Sequence, residues 1–346
     1  MGPTMRLKAP TPDPRAASVL LAALVVGWAI LARQTSEHWW WVATLDLIPP
    51  QLLLPLFALL AWLAWRAGQL RWAAWNVLAA AAFVVVQVGL VLPSERPVVS
   101  APITLLSLNT LDASADPGRI AQLARREGAD VVVLQEALFK DRPQETYAAR
   151  VRAAFPGWST AHQGELLTLT RLPLLESRPL RFPQTGHVLL VTRLQTRTGE
   201  VTVVNVHLPT LALLTDINRP GEPRALPGRV AWRLHLRREL PGAVSQVQAT
   251  APGAVVLVGD MNAPARGELH RLLRATGLRD AFVQAGAGFG FTYAARLGFL
   301  RLDYTWGDGV VFTAARALPE VLSDHRPLLV RFGLHPGTTS SSVRQP

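Results

Sequence analysis

The first hundred residues contain three long stretches that are apolar and carry no charged side chain. They span residues 16–32, 47–65 and 72–94. A helix that crosses the apolar part of a bilayer needs about 20 such residues, with a range of about 17 to 25. Each stretch falls within that range, so the pattern predicts three transmembrane helices.

Tryptophan is concentrated in the same region, with three consecutive residues at 39–41. Trp favours the interface between bilayer and water, which fits a position beside a membrane span. The first stretch could instead be a cleaved signal peptide, but no clean cleavage site follows it and two more apolar stretches remain. Buried helices of a soluble protein are disfavoured because three successive stretches lack charge.

The basic residues that flank these stretches are unevenly distributed. Most of them precede the first stretch or separate the second from the third: Arg6, Lys8, Arg15, Arg66 and Arg71. Only Arg33 follows the first stretch, and only Arg96 closely follows the third. The positive-inside rule places the richer sides in the cytoplasm. We therefore predict a multi-pass protein of the cytoplasmic membrane whose catalytic domain is extracytoplasmic.

From about residue 100 the pattern changes to short apolar runs separated by polar turns. The runs that favour strands are Ile103–Leu108, Val131–Gln135, Leu166–Thr170, Val188–Leu194, Val201–Val206, Ala254–Val258, Tyr304–Trp306 and Leu328–Phe332. Helical patterns occupy 117–128, 228–240 and 265–277. Strands mixed with helices, several of the strands fully apolar, indicate an α/β or α+β sandwich around a central sheet. The predicted domains are a membrane region over 1–96, a catalytic domain over 97–334, and a disordered Ser- and Thr-rich tail over 335–346.

Most of the apolar runs begin or end near a residue that can bind a metal or move a proton. These residues are Asn109, Glu136, His207, Asp260, Asn262, Asp303, Asp324 and His325. Some of them alone could be turn formers. Together they predict a convergent site at one edge of a sheet, where enzymes of this architecture place their chemistry. The set is rich in oxygen and the chain has no Cys, which favours Mg²⁺ or Mn²⁺.

The chain has a formal net charge of +11, and nearly all of its basic residues are Arg. This composition could simply reflect the composition of the genome. It could also indicate an anionic substrate or surface, since the guanidinium group matches the geometry of phosphate. The sequence has no basic stripe interleaved with aromatic residues, which single-strand nucleic-acid binders usually show.

Six short motifs resemble those of the endonuclease/exonuclease/phosphatase superfamily of metal-dependent phosphoesterases. They occur in the order found in that family, between residues 106 and 330, and read LSLNT, VVLQEA, VVNVHLPT, VGDMNAP, LDYTW and LSDHRPLLV. Any one motif is weak, but six in order indicate the superfamily, without indicating a subfamily. The resemblance implies an α+β fold, a four-layer αββα sandwich with its site in the cleft between the sheet edges.

The resemblance also implies a metal site and a site for the attacking water. Glu136 would be the main metal ligand, with Asn109 and Asp324 close to the metal. Asp260 and Asn262 would hold and activate the water and contact the phosphate. The residues agree with that role, because positions 260 and 262 lie on the same side of an extended chain.

Two histidines receive roles from the same resemblance. His325, oriented by Asp303, would contact a phosphate oxygen, and His207 would act near the leaving group. In nuclease-like members the leaving-group His has an acidic partner, for which Glu165 is the candidate here. The alternative is that Glu165 is a solvated residue at the start of a strand.

A Pro-rich stretch after the VVNVHLPT motif carries three arginines that could bind substrate: Arg219, Arg224 and Arg229. They could form a lid that meets an anionic substrate, or a solvated loop. His162 and His187 are expected at the surface or at a sheet edge and not in the site.

These observations predict a membrane-anchored, Mg²⁺-dependent phosphoesterase that hydrolyses phosphodiester or phosphomonoester bonds by metal-assisted attack of water. The net positive charge favours nucleic acid as the substrate. A tether that holds the domain at a bilayer favours a phospholipid-type headgroup. The alternative is a catalytically inactive family member that acts as a membrane-anchored binding module, although every polar position of the site holds a usable residue. No protein partner is predicted.

Overall fold

The computed structural model of the chain describes residues 13–95, 97–138, 145–211 and 226–335. The described residues form two compact units. One contains the described part of Met1–Leu31 together with Pro49–Gly89, and the other contains Ala32–Ile48 together with the described part of Leu90–Pro346. The predicted disordered tail lies outside the described residues, except for its first residue.

The N-terminal region is built from apolar helices. They are α1 (Pro14–Thr35), α2 (Trp40–Asp46), α3 (Leu54–Arg66) and α4 (Leu70–Phe83), with a 3₁₀ turn at Pro50–Leu53 and a π-helical turn at Val84–Val88. By length and composition, the helices Pro14–Thr35 and Leu70–Val88 are long and apolar enough to cross a membrane. They correspond to the first and third predicted spans. The helix that corresponds to the third predicted span ends at Val88 and not at residue 94. Gly89 adopts a left-handed backbone with a φ of 85°, and such a residue commonly terminates helices.

The second predicted span is not one straight helix. The helical stretches Trp40–Asp46 and Pro50–Arg66 are bent by 77° relative to each other, and they are long enough to cross a membrane only as a pair. The bend falls at Pro49 and Pro50, which lack the backbone N–H that continues an α-helix. The described residues therefore contain two candidate spans, and a third if the bent pair is counted as one.

The second unit contains two six-stranded sheets. The first sheet has the order β11-β12-β1-β2-β4-β3 and the second has the order β5-β6-β7-β8-β10-β9. The strands are β1 (Ile103–Asn109), β2 (Val131–Gln135), β3 (Ser159–Gln163), β4 (Leu166–Thr170), β5 (Leu174–Arg181), β6 (Val188–Thr196), β7 (Gly199–His207), β8 (Ala254–Asp260), β9 (Arg279–Asp280), β10 (Asp303–Asp308), β11 (Val310–Ala317) and β12 (Leu328–Leu334). The remaining helices are α5 (Pro117–Glu127), α6 (Glu145–Ala154), α7 (Leu226–Thr250), α8 (Glu268–Ala275) and α9 (Ala281–Ala285).

The central strands are buried on both faces, and their alternate residues enter different hydrophobic layers. Leu105 and Val133 of the first sheet share a core with Val203 and Val256 of the second. The other face of the first sheet packs against α5 and α6, and the other face of the second packs against α7 and α8. Burial on both faces explains the continuous apolar runs in the sequence. The layers run helix, sheet, sheet, helix, so the predicted four-layer αββα sandwich is confirmed.

The segment Ala32–Ile48 belongs to the same unit as the sandwich, although the sequence analysis places it in the membrane region. Two of its polar residues form hydrogen bonds with residues at or just before the start of α8. Ser36 Oγ accepts a hydrogen bond from the Glu268 N–H at 2.8 Å. The Arg266 Nε donates to Asp46 Oδ1 at 2.7 Å. This segment therefore completes one side of the sandwich with buried polar contacts.

Candidate active site

Two pairs of parallel strands bring the polar strand ends together. In the first sheet, β1 and β2 are parallel, and Asn109 is in register with Gln135, so Glu136 follows beside Asn109. In the second sheet, β7 and β8 are parallel, and His207 is in register with Asp260. Parallel neighbours end at the same edge of a sheet, and each sheet therefore delivers its functional residues to one edge.

Asn109 connects the two sheets at this edge. Its Nδ2 donates to Glu136 Oε1 at 3.1 Å and to Asp260 Oδ2 at 2.9 Å. Glu136 also accepts a hydrogen bond from the Asp112 N–H at 3.0 Å. The backbone of Glu136 is left-handed, with a φ of 50°. Such a conformation is uncommon for residues other than glycine and is often found at functional sites.

Asp260 lies at the centre of the cluster and is fully buried. The N–H of Asn262 donates to Asp260 Oδ1 at 2.8 Å, and the Asn262 Nδ2 donates to Asp260 Oδ2 at 3.0 Å. Asn262 has a φ of 46°, and this left-handed turn folds its amide back onto Asp260. Burial raises the pKa of Asp260 to about 6, although the nearby His325 opposes the shift.

His325 forms a hydrogen-bonded pair with Asp303. Its Nδ1 lies 2.7 Å from Asp303 Oδ2, and its Nε2 lies 3.7 Å from Asp260 Oδ2. Antiparallel pairing of β8 and β10 sets Asp303 opposite Asp260, which explains why one imidazole reaches both carboxylates. Burial alone would lower the pKa of His325, but these two carboxylates raise it to about 10. His325 is therefore an imidazolium at neutral pH.

His207 lies between three carboxylates. Its Nδ1 is 3.1 Å from Glu165 Oε1, and its Nε2 is 3.3 Å from Glu136 Oε1 and 3.7 Å from Asp260 Oδ2. The proposed acidic partner from the sequence, Glu165, is thus within hydrogen-bond distance of the ring. His187 lies behind it, with its Nε2 2.9 Å from the His207 carbonyl oxygen.

Asp324 supplies the remaining carboxylate. Burial and the nearby Glu136 raise its pKa, against the effect of His325. Its Oδ1 is buried and has no hydrogen-bond partner among the described residues. A buried carboxylate oxygen without a partner is costly, and a divalent cation would satisfy it. Together with Glu136 and Asn109, it offers the oxygen donors that Mg²⁺ and Mn²⁺ prefer.

A second group of possible metal ligands consists of Asp260, Asp303 and His325, whose ligand atoms lie within 4.8 Å of one another. The site thus offers two sets of possible metal ligands, the oxygen donors of Glu136, Asn109 and Asp324 and the mixed set of Asp260, Asp303 and His325.

The remaining candidates from the sequence are three arginines and His162. Arg219 and Arg224 lie outside the described residues. Arg229 lies in the first turn of α7 and is half-buried. His162 lies on β3, an edge strand, with its Nε2 2.8 Å from the Gly164 carbonyl oxygen.

Sequence reasoning missed two residues of the site region. The Tyr293 ring lies 5.1 Å from the His325 ring, between centroids, and its side chain is partly exposed. Arg237 of α7 is buried and donates to the Asn262 carbonyl. A sequence signal for the latter existed, since Arg229, Arg233 and Arg237 recur every four residues and so share one helix face.

The fold is a four-layer αββα sandwich with a buried cluster of acids and histidines at the sheet edges. The chain belongs to the endonuclease/exonuclease/phosphatase family, whose profile matches residues 73–325. Members of this family are generally metal-dependent phosphoesterases or nucleases. The residues before 73 lie outside the match.

Solved structures of low sequence identity share the fold. An endonuclease/exonuclease/phosphatase from Beutenbergia cavernae is 20% identical, with a TM-score of 0.52 over 68% of this chain and 72% of that one. A family protein from Bacteroides thetaiotaomicron is 14% identical, with a TM-score of 0.53 over 69% of this chain and 98% of that one. A humanized TDP2 from D. rerio is 20% identical, with a TM-score of 0.50 over 68% and 100%. No curated protein matches the sequence.

Proposed function

We propose that this chain is a membrane-anchored, Mg²⁺- or Mn²⁺-dependent phosphoesterase that hydrolyses phosphodiester or phosphomonoester bonds. One observation carries the proposal. A buried Asp260 with a raised pKa is held by two amide side chains, Asn109 and Asn262, and lies beside two histidines that each have their own carboxylate partner. Structural turns do not need this concentration of titratable groups, whereas phosphoryl chemistry does.

Glu136, Asn109 and Asp324 would hold the metal ion. When bound there, a divalent ion neutralises charge on the phosphate oxygens and lowers the pKa of water. Without the metal ion, the negative charges of Glu136 and Asp324 repel each other, and ionisation of either carboxyl group is less favourable. The unpartnered oxygen of Asp324 supports this assignment.

Asp260 is the proposed general base. It takes a proton from the attacking water as the water oxygen bonds to phosphorus. Its pKa of about 6 suits a base that works near neutral pH. Asn262 and Asn109 hold both oxygens of its carboxylate, which fixes the direction of proton transfer.

The two histidines are proposed to act on the phosphate and on the leaving group. The His325 imidazolium, oriented by Asp303, donates a hydrogen bond to a non-bridging phosphate oxygen and stabilises the charge that develops there. His207, oriented by Glu165, gives a proton to the leaving-group oxygen as its bond to phosphorus breaks. The proton taken by Asp260 and the one given by His207 balance the hydrolysis.

The substrate is proposed to be a nucleic acid or a phospholipid-type headgroup. The net charge of +11 favours a polyanion. The candidate membrane spans favour a substrate in the bilayer, because anchoring raises the effective concentration of membrane substrates. We place the catalytic domain outside the cytoplasm on the distribution of Arg and Lys around the apolar stretches.

The test uses the purified full chain in detergent and in proteoliposomes. DNA, RNA, phospholipids and a generic phosphodiester are offered with Mg²⁺ or with excess chelator. We expect hydrolysis of at least one class in Mg²⁺ and none in chelator. Substrate binding without hydrolysis in every condition would instead support the alternative of an inactive binding module.

A further inference from the structure

One buried arginine connects the loops that follow the two central strands of the second sheet. Arg237 of α7 is 2% exposed. Its Nη2 donates to the carbonyl oxygen of Asn262, after β8, and lies 3.5 Å from the carbonyl oxygen of Pro209, after β7. These strands end at Asp260 and His207. A single guanidinium thus fastens the two loops that carry the proposed base and the leaving-group histidine.

The charge of this arginine is balanced from a distant part of the sequence. Glu37 is 1% exposed, and its Oε1 lies 3.7 Å from Arg237 Nη1. Glu37 belongs to Ala32–Ile48, the segment between the first and second predicted spans, which packs in the same unit as the sandwich. It lies outside the residues that match the family. The backbone of Glu37 is fixed as well, since its N–H donates to Glu268 Oε2 at 3.1 Å.

We infer that Arg237 is a positioning residue of the active site and that Glu37 acts through it. This inference rests on the proposed function of the site. The left-handed backbone of Asn262 costs free energy unless surrounding contacts hold it. The guanidinium of Arg237 supplies such a contact at the carbonyl oxygen of Asn262. The backbone N–H and the side-chain amide of Asn262 meanwhile donate to Asp260. A buried arginine without its counter-ion is strongly unfavourable, so loss of Glu37 should release this contact.

The matched control is the other buried ion pair of the same segment. Arg266 pairs with Asp46 at 2.7 Å and also donates to the Ile48 carbonyl at 3.2 Å. Like Glu37, it holds the segment against the sandwich. Arg266 lies in the loop after β8, beyond Asn262, and its hydrogen bonds go to Asp46 and Ile48 and not to the carbonyls of Asn262 and Pro209. Arg266→Gln should therefore lower stability and leave turnover per folded molecule unchanged.

The first experiment measures hydrogen exchange of the full chain in detergent, which needs no substrate. The reporter amides are Leu208 N–H, bonded to the Asp260 carbonyl, and Asn262 N–H, bonded to Asp260 Oδ1. In Glu37→Gln and Arg237→Lys we expect these amides to exchange at least about tenfold faster. In Arg266→Gln they should stay protected. Unchanged exchange in Glu37→Gln, or an equal increase in Arg266→Gln, would overturn the inference.

The second experiment measures hydrolysis of a generic phosphodiester. Misplacement of reacting groups acts on turnover, so kcat should fall about 10- to 100-fold in Glu37→Gln with little change in KM. In an Arg237→Gln background, Glu37→Gln should add no further loss, because the two residues act as one unit. Additive losses would contradict the coupling. If the wild-type chain hydrolyses no phosphate ester, the proposed function fails, while the exchange result still decides the role of Arg237.

Discussion

At the scale of single residues, Asp260 shows how one side chain can be read in two ways. As the last residue of a buried strand followed by Met and Asn, it fits a capped turn. The structure gives it no exposure to solvent and four polar neighbours: Asn109, Asn262, His207 and His325. The two interpretations differ in what removal of its charge should do.

Replacing Asp260 with Asn should abolish most of the activity and leave the fold intact. Asn keeps the shape of Asp but cannot take a proton from water. Loss of a general base costs about 10²- to 10⁴-fold in rate, so kcat should fall by at least about 100-fold with an unchanged melting temperature. Asp308→Asn is the control, because Asp308 lies at the other end of β10 and accepts from Gln248. Near-normal turnover of Asp260→Asn would show that Asp260 is only a turn residue.

Glu136 is expected to control the dependence on metal. In Glu136→Gln the ligand keeps one oxygen and loses its charge, so the Mg²⁺ concentration for half-maximal activity should rise by at least about tenfold. A Mg²⁺ titration of hydrolysis measures this shift. Glu200→Gln, at the opposite end of β7 from His207, should titrate like the wild type. Full wild-type hydrolysis in excess chelator would contradict the metal assignment.

At the scale of elements, strand direction explains the site better than any single motif. The parallel pairs β1–β2 and β7–β8 each end at one edge, and the antiparallel β10 begins where β8 ends. The helices α5, α6, α7 and α8 pack on the outer faces of the two sheets. On the second sheet, α8 contributes a buried histidine, His270, that lies outside the site.

His270 should make the fold sensitive to acid. Burial lowers its pKa to about 3, its Nε2 lies 3.0 Å from the Ala263 carbonyl oxygen, and its Nδ1 has no partner among the described residues. In the unfolded chain it protonates near pH 6.5. Its contribution to stability is therefore complete above pH 6.5 and declines by about 1.4 kcal/mol per pH unit below it, until about pH 3.

The measurement compares denaturant unfolding of the full chain in detergent at pH 7 and pH 5, followed by Trp fluorescence. His270→Gln can still donate to Ala263 but cannot take up a proton. It should be less stable at pH 7, since it loses the ring contacts with Tyr304 and Trp306. Between pH 7 and pH 5 it should lose less stability than the wild type. Equal losses would show that His270 does not set the acid sensitivity.

At the scale of the whole molecule, the described residues combine a sandwich with two helices that are long and apolar enough to cross a membrane, or three candidate spans if the bent pair is counted as one. The orientation of the domain depends on how many of these helices cross the membrane. An odd number places the N-terminus and the catalytic domain on opposite sides, and an even number places them on the same side.

We expect a cytoplasmic N-terminus and an external catalytic domain. Protease added to intact spheroplasts should then remove the residues after about 100, while an N-terminal tag stays protected. Lysed spheroplasts, in which both ends are accessible, provide the control. Protection of the catalytic domain in intact spheroplasts would overturn this orientation, and protection of both the domain and the tag would indicate an even number of spans.

The sequence predicted much of the fold because its strongest signals are local. Fully apolar runs identified the central strands, since these are buried on both faces. Edge strands such as β5 (Leu174–Arg181) were not predicted, because one face is solvated and their residues are mixed in character. The second span was predicted as continuous because hydropathy does not show the bend at Pro49 and Pro50.

By itself the sequence determined the family, the apolar N-terminal stretches and the residues at the strand ends, since each follows from neighbours along the chain. Only the tertiary structure decided which of these residues meet. The resemblance offered Glu165 as a partner for His207, and the structure placed the two side chains in contact across 42 positions. It also set Glu37 beside Arg237 in the interior, a pair that the sequence did not suggest. Such pairs leave no local pattern, because charged side chains far apart in sequence become partners only after packing removes them both from water.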